Sequence, residues 1–97
     1  MVKPQEVNSP KEKLEVITII EDGTVTGKGY SFAKVKWKGR DAHAIRYDGD
    51  NDNDKGFPTS GRGYHPAWFI LPDAVAHPYL KDLIAQKHFV EQLEKYF

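Results

Sequence analysis

The chain has 97 residues, about the size of one domain, and its 39% hydrophobic and 12% aromatic residues are enough for a packed core. Its 14 basic and 14 acidic residues cancel, whereas a dedicated nucleic-acid binder has a basic excess or a strongly basic face. Cysteine is absent, which excludes disulfide bonds, thiolate metal sites and cysteine nucleophiles and favours a reducing, cytoplasmic location. No segment has the pattern of a signal peptide or a membrane span, so we expect neither export nor membrane insertion.

The chain begins with a polar stretch and then turns apolar. Residues 1–13 show no hydrophobic periodicity, so we expect a flexible N-terminal arm there and a single α+β domain over residues 14–97. The β-branched run LEVITII predicts a first strand at about residues 14–21. Its apolar residues alternate onto both faces, which predicts a central position in the sheet.

A glycine-rich connection follows the first strand. Asp22-Gly23 is a favoured two-residue hairpin turn, so we expect the second strand to begin at Thr24. Gly27 and Gly29 predict a bend or bulge, which curves the sheet, and we treat residues 30–38 as a separate strand.

A turn near Gly39 and a returning strand that ends near Asp48 extend the antiparallel meander. For a two-residue turn, alternation assigns the side chains of both strands to faces. One face carries Ala33, Val35 and Trp37 with Ala42 and Ala44, and the other carries Tyr30, Phe32, Lys34, Lys36 and Lys38 with Asp41, His43, Ile45 and Tyr47.

The C-terminal part predicts one more strand, residues 67–71, a short helical turn and a helix from Pro78 onward. The helix has a broad apolar arc that consists of Leu80, Leu83, Ile84, Val90, Leu93 and Phe97. Phe89 and Tyr96 widen this arc, which indicates either a homodimer contact through the C-terminal helix or a loop folded over it. We therefore expect a small α+β fold, a curved antiparallel sheet of four to five strands packed against one C-terminal α-helix.

The stretch DGDNDNDKG, residues 48–56, is either an ion-binding loop or a solvated turn. A calcium alternative would use the four carboxylates of Asp48, Asp50, Asp52 and Asp54. An EF-hand loop, however, needs glycine at its sixth position and glutamate at its twelfth, where this sequence has Asn53 and Thr59. Aspartate and asparagine also dominate turns for local reasons, so we prefer a solvated turn and expect no metal.

The segment from Phe57 to Trp68 is the first candidate for a binding surface. It belongs to a connection much longer than the usual four to six residues, and such connections are often functional. Tyrosine, tryptophan and arginine are also enriched in recognition sites. The candidate binding residues are Phe57, Arg62, Tyr64, His65 and Trp68. Alternatively, the aromatic residues pin the loop to the core.

The lysine-bearing strand face is an alternative nucleic-acid surface, since aromatic rings on a sheet stack bases while lysines contact phosphates. Its residues would be Tyr30, Phe32, Lys34, Lys36 and His43. The same face could instead lie beneath the C-terminal helix, with the lysines reaching water at its rim.

The function expected from these patterns is non-enzymatic binding without a cofactor, with a protein as the partner and Arg62 making charged hydrogen bonds. A nucleic-acid-binding domain is the alternative, and a small enzyme with His43 or His65 as general base is the third hypothesis. The histidines have no i, i+4 pairing with one another on the helix, so each is interpreted as a packed or surface residue.

Overall fold

The computed structural model describes residues 1–9, 11–62 and 64–87. It confirms the expected class, a small α+β fold with an antiparallel sheet and a C-terminal helix. In chain order the elements are a 3₁₀-helix Pro4–Glu6, β1 Leu14–Glu21, α1 Gly23–Thr26, β2 Tyr30–Trp37, β3 Arg40–Tyr47, β4 Thr59–Ser60, β5 His65–Pro66, β6 Phe69–Leu71 and α2 Asp73–Lys87. Among the described helices, none combines the length and the apolar character needed to span a bilayer.

The main sheet has the strand order β1-β2-β3-β6 with every neighbouring pair antiparallel, and β4 and β5 form a separate small hairpin. Trp37 pairs with Arg40, which confirms a two-residue turn between β2 and β3. Both turn residues, Lys38 and Gly39, have positive φ, as this type of turn requires.

The predicted faces follow from this register and are confirmed: Lys34 lies opposite His43 and Phe32 opposite Ile45. β1 lies at an edge of the sheet, so the prediction of a central first strand is wrong.

The predicted hairpin turn at Asp22-Gly23 is wrong, because α1 begins there. The Asp22 side chain caps this helix and accepts a hydrogen bond from the Thr24 amide at 2.9 Å. Aspartate at this position satisfies an amide that the first helical turn leaves unpaired, so a short helix competes successfully with the hairpin. Gly27 ends α1 with a φ of 77°. Helix α1 thus takes the place of the strand expected from Thr24, and β2 starts at Tyr30, where the separate strand was expected.

Helix α2 begins at Asp73 and contains Pro78, so the prediction that Pro78 starts the helix is also wrong. Pro78 has no amide proton to donate to the carbonyl of Ala74, and both residues are exposed, so water can bond that carbonyl. The helix covers the face that carries Phe32, and the predicted arc residues Leu80, Leu83 and Ile84 are buried there with Ala76. The rest of the predicted arc and the expected dimer contact lie outside the described residues: Phe89, Val90, Leu93, Tyr96 and Phe97.

The N-terminal segment covers the opposite face of the sheet, where a flexible arm was expected. Val7 is buried in a cluster with Leu14, Ala33, Val35, Ala44 and Trp68. The Val2 amide also donates to the Asp48 carbonyl at 2.8 Å, which attaches the segment to the end of β3. Each face of the sheet therefore has its own apolar cover, α2 on one side and the N-terminal segment on the other.

Candidate functional site

An apolar cleft of about 460 Å³ opens between α2 and the end of the sheet where β2 begins and β3 ends. The residues that line it are Tyr30, Ile45, Arg46, Tyr47, Phe57, Pro58, Phe69, Leu71, Val75 and Tyr79. Four of them are well exposed for apolar side chains: Tyr47 at 64%, Phe57 at 64%, Phe69 at 54% and Val75 at 55%. An exposed cluster of large apolar side chains around a concave surface is typical of an interaction site.

The walls of the cleft follow from two periodicities and one strand pairing. Ile45 and Tyr47 are two residues apart on β3, so both side chains point to the α2 face. Phe69 pairs with Ile45 and thereby extends this wall onto the edge strand β6. Val75 and Tyr79 are four residues apart on α2, so they lie on the same side of the helix and form the opposite wall.

Phe57 is brought to the cleft by backbone pairing across the long connection. The Tyr47 amide donates to the Phe57 carbonyl at 2.7 Å, and the Phe57 amide donates to the Tyr47 carbonyl at 3.1 Å. This pair places Phe57 beside the end of β3, in line with β6, although nine residues separate it from Tyr47 along the chain.

The buried Arg46 side chain anchors the long connection that follows β3. Its guanidinium donates to the carbonyls of Ala67 at 2.9 Å and Tyr47 at 3.0 Å, and also to the carbonyl of Lys55. Burial lowers the pKa of Arg46, which the nearby Asp48 carboxylate partly opposes. Since Lys55 and Ala67 flank the segment that carries Phe57, one side chain holds both ends of that segment in place.

A polar network forms the inner end of the cleft. The hydroxyl groups of Tyr30 and Tyr79 are 2.9 Å apart, Tyr79 donates to Glu21, and Lys28 pairs with Glu21 at 2.8 Å. Burial and the hydrogen bond to Glu21 raise the pKa of Tyr79, so its phenol keeps its proton at physiological pH. Among the described lining residues only Arg46 is charged, and its Nη1 and Nη2 groups donate to backbone carbonyls, so the surface is suited to apolar partners.

The predicted binding segment divides into three environments. Phe57 lines the cleft. Arg62, Tyr64 and His65 are exposed on the β4-β5 hairpin, and the described lining of the cleft includes none of the three. Trp68 is buried, and its indole nitrogen donates to the Val7 carbonyl at 2.8 Å, which is the core placement considered as the alternative for these aromatic residues.

The alternative nucleic-acid face is largely covered. Phe32 and His43 are buried beneath α2, and their rings stack on each other with centroids 5.6 Å apart. This is the alternative placement of the face, beneath the C-terminal helix, and α2 occupies the space that a base stacked on these two rings would need. Lys34 is half-buried, Lys36 is exposed opposite Asp41, and Tyr30 lines the apolar cleft.

The acidic loop is held by its own hydrogen bonds. The Asp54 carboxylate accepts from the amides of Gly56 at 2.9 Å and Asp50 at 3.0 Å, and Asn51 accepts from the Asn53 amide at 2.9 Å. These bonds are the local turn chemistry that the composition predicts.

Asp48 lies inside the fold. It is fully buried and accepts a hydrogen bond from the Ser31 hydroxyl at 2.6 Å, and its burial raises its pKa. The Ser31 oxygen in turn accepts from the Gly23 amide, so Asp48 connects the start of α1 to the end of β3. Asp48, the first ligand of the calcium alternative, therefore has a structural role inside the fold.

Sequence reasoning did not identify Phe69, Val75 and Tyr79 as functional residues. The i, i+4 spacing of Val75 and Tyr79 was a usable signal, but it is helical only if α2 starts before Pro78. No protein-family model matches the chain, and the searches of curated proteins and of solved structures likewise found no match. The function is therefore inferred from the geometry of the cleft.

Proposed function

We propose that this domain is a non-enzymatic binding module that docks a protein partner through the apolar cleft, with a large apolar side chain of the partner inserted beside Phe57 and Val75. The observation that carries the proposal is the exposure of four large apolar side chains around a cleft of about 460 Å³. Burial of such surface releases about 25 cal/mol per Å², and Tyr47 and Phe57 belong to residue types enriched in interface cores.

The openness of the cleft favours a protein over a small molecule. Sites for small ligands usually bury 70–90% of the ligand, which requires walls that close around it. Here the rim residues Tyr47 and Phe57 are themselves mostly exposed, so a small ligand would remain partly in water. A protein partner brings additional surface that covers the rim.

The rigid placement of the cleft residues also supports docking. Phe57 is fixed by two backbone hydrogen bonds to Tyr47, and the segment that carries it is anchored by Arg46. A pre-organised surface loses less conformational entropy on binding, so more of the interaction energy contributes to affinity.

The test uses peptides displayed on phage and selected for binding to the purified protein. We expect the selected peptides to share a large apolar residue and to lose affinity for a Val75→Asp variant, because the new carboxylate would be desolvated in an apolar site. Val25→Asp is the matched control, since Val25 is an exposed valine on α1 and not among the described lining residues.

Three outcomes would contradict the proposal. Peptides that bind the Val75→Asp and wild-type proteins equally would exclude the cleft. Peptides that lose affinity for a Tyr64→Ala variant, but not for Val75→Asp, would show that the binding site lies on the β4-β5 hairpin. Concentration-dependent dimerisation abolished by Val75→Asp would show that a second copy of the chain occupies the cleft.

A further inference from the structure

A second group of side chains, separate from the cleft lining, converges where α2 begins. Asp73 and His77 are four residues apart on α2, and His43 projects from β3 toward the same helix. The candidate ligand atoms of the three residues all lie within 4.8 Å of one another. Nε2 of His77 and Oδ1 of Asp73 are 3.7 Å apart.

Two imidazole nitrogens and one carboxylate oxygen form a ligand set suited to a divalent transition metal. Catalytic zinc sites, for example, use three such protein ligands and leave the fourth position to water or substrate. Metal–ligand distances of about 2.0–2.2 Å place neighbouring ligand atoms roughly 3.3 Å apart, so the His77–Asp73 pair is already close to the required separation.

The three side chains differ in exposure in a way that suits metal capture. The His43 ring is fixed by stacking on Phe32, with the two ring planes 12° apart, so one ligand is pre-oriented. The side chains of His77 and Asp73 are 36% and 67% exposed, which gives an ion access and lets both ligands shift toward it. His43 and His77 already meet edge to face, with ring centroids 5.6 Å apart.

We propose that His43, Asp73 and His77 form a three-ligand site for a divalent transition metal ion, of which Zn²⁺ is the representative. The site is independent of the proposed docking function, because it uses none of the described cleft-lining residues. A bound ion would link β3 directly to the N-terminal end of α2. The competing explanation is a helix-terminal Asp–His pair packed against a core histidine, which would bind no ion.

The test is isothermal titration calorimetry of ZnCl₂ into protein that carries no histidine tag and has been stripped with chelator. We expect saturable 1:1 binding for the wild-type protein. His77→Gln and Asp73→Asn should each weaken binding at least about tenfold, since even outer-shell partners of a metal contribute 10–100-fold. His65→Gln is the matched control, because His65 is an exposed histidine on the β4-β5 hairpin.

Thermal melting separates metal binding from a folding defect. Both altered ligands are at least partly exposed, so the variants should melt like the wild-type protein when no metal is present. Zn²⁺ should raise the melting temperature of the wild-type and His65→Gln proteins, and at the same concentration it should raise that of His77→Gln less. No zinc binding by the wild-type protein at millimolar concentration, or equal affinity in the wild-type and His77→Gln proteins, would overturn the proposal.

Discussion

The phenol of Tyr79 on α2 donates a hydrogen bond to Glu21, the last residue of β1, whose side chain is completely buried. Lys28 pairs with the other carboxylate oxygen, and Tyr30 bonds the Tyr79 hydroxyl. A buried carboxylate is stable only when its oxygens are satisfied, so Tyr79 has a structural role in addition to lining the cleft. The network connects the helix to the edge strand of the sheet.

Replacement of Tyr79 by phenylalanine should therefore destabilise the protein without changing the shape of the cleft wall. We expect a loss of about 1–3 kcal/mol in the free energy of unfolding, because a hydrogen bond to a buried charged group is removed. Chemical denaturation at neutral pH measures this change. Tyr47→Phe is the control, since Tyr47 is exposed and should change stability by less than about 0.5 kcal/mol.

The raised pKa of Tyr79 also predicts how the free energy of unfolding depends on alkaline pH in the wild-type and Tyr79→Phe proteins. Unfolded tyrosine loses its proton near pH 10, while folded Tyr79 keeps it to higher pH. Above pH 10 the unfolded state therefore binds fewer protons than the folded state, so stability falls as pH rises. The Tyr79→Phe protein should show a shallower decline above pH 10, and identical alkaline slopes would contradict this explanation.

Trp68 should behave as a core residue in stability measurements. Replacement by alanine removes a buried ring and its hydrogen bond to Val7, so we expect a loss of about 3–5 kcal/mol in the free energy of unfolding. Tyr64→Ala, in the same connection, should cost less than about 0.5 kcal/mol because Tyr64 is 72% exposed. Denaturation followed by circular dichroism compares them, and similar losses would contradict the core placement of Trp68.

The parts of the fold that sequence reasoning predicted correctly depend on short-range patterns. β1 spans the expected residues, and the β2-β3 hairpin has the expected turn and faces, because alternation and a turn with Gly39 at positive φ specify the register locally. Asp22-Gly23 and Pro78 were misinterpreted because each is compatible with two local structures. The Asp22 side-chain cap favours the helix at the first position, and the burial of α2 side chains against Phe32 favours it at the second.

The site was harder to predict because its residues meet only through long-range contacts. Phe57 reaches the cleft by pairing with Tyr47, and nothing local to either residue encodes that bridge. His43 and His77 are 34 positions apart and converge only because α2 starts at Asp73 and lies on the β3 face that carries His43. Periodicity assigned His43 to the correct face, but it cannot identify what covers that face.

Gly23 should be intolerant of even the smallest side chain. A Cβ atom there would overlap the Tyr30 carbonyl and the buried Asp48 carboxylate, so we expect Gly23→Ala to cost at least about 3 kcal/mol in the free energy of unfolding. Gly27→Ala is the matched control on the same short helix. Its Cβ would meet open space, so only the left-handed backbone, with a φ of 77°, contributes a cost of about 1–2 kcal/mol. Thermal or chemical denaturation ranks the two, and equal costs would contradict the tight packing at Gly23.

The acidic loop should respond to pH through Asp54. Hydrogen bonds from the amides of Gly56 and Asp50 lower the pKa of Asp54. Its contribution to loop stability is therefore present above the unfolded pKa of about 3.9 and is lost as pH falls through the lower folded value.

Replacement of Asp54 by alanine should remove that contribution at neutral pH as well. We expect faster hydrogen exchange at the Gly56 and Asp50 amides, which lose their acceptor, and NMR measures both. Asp52→Ala is the control, because Asp52 is an exposed aspartate of the same loop. If both variants accelerate exchange equally, loop charge and not the Asp54 hydrogen bonds holds the turn, and the local-turn interpretation of DGDNDNDKG would be wrong.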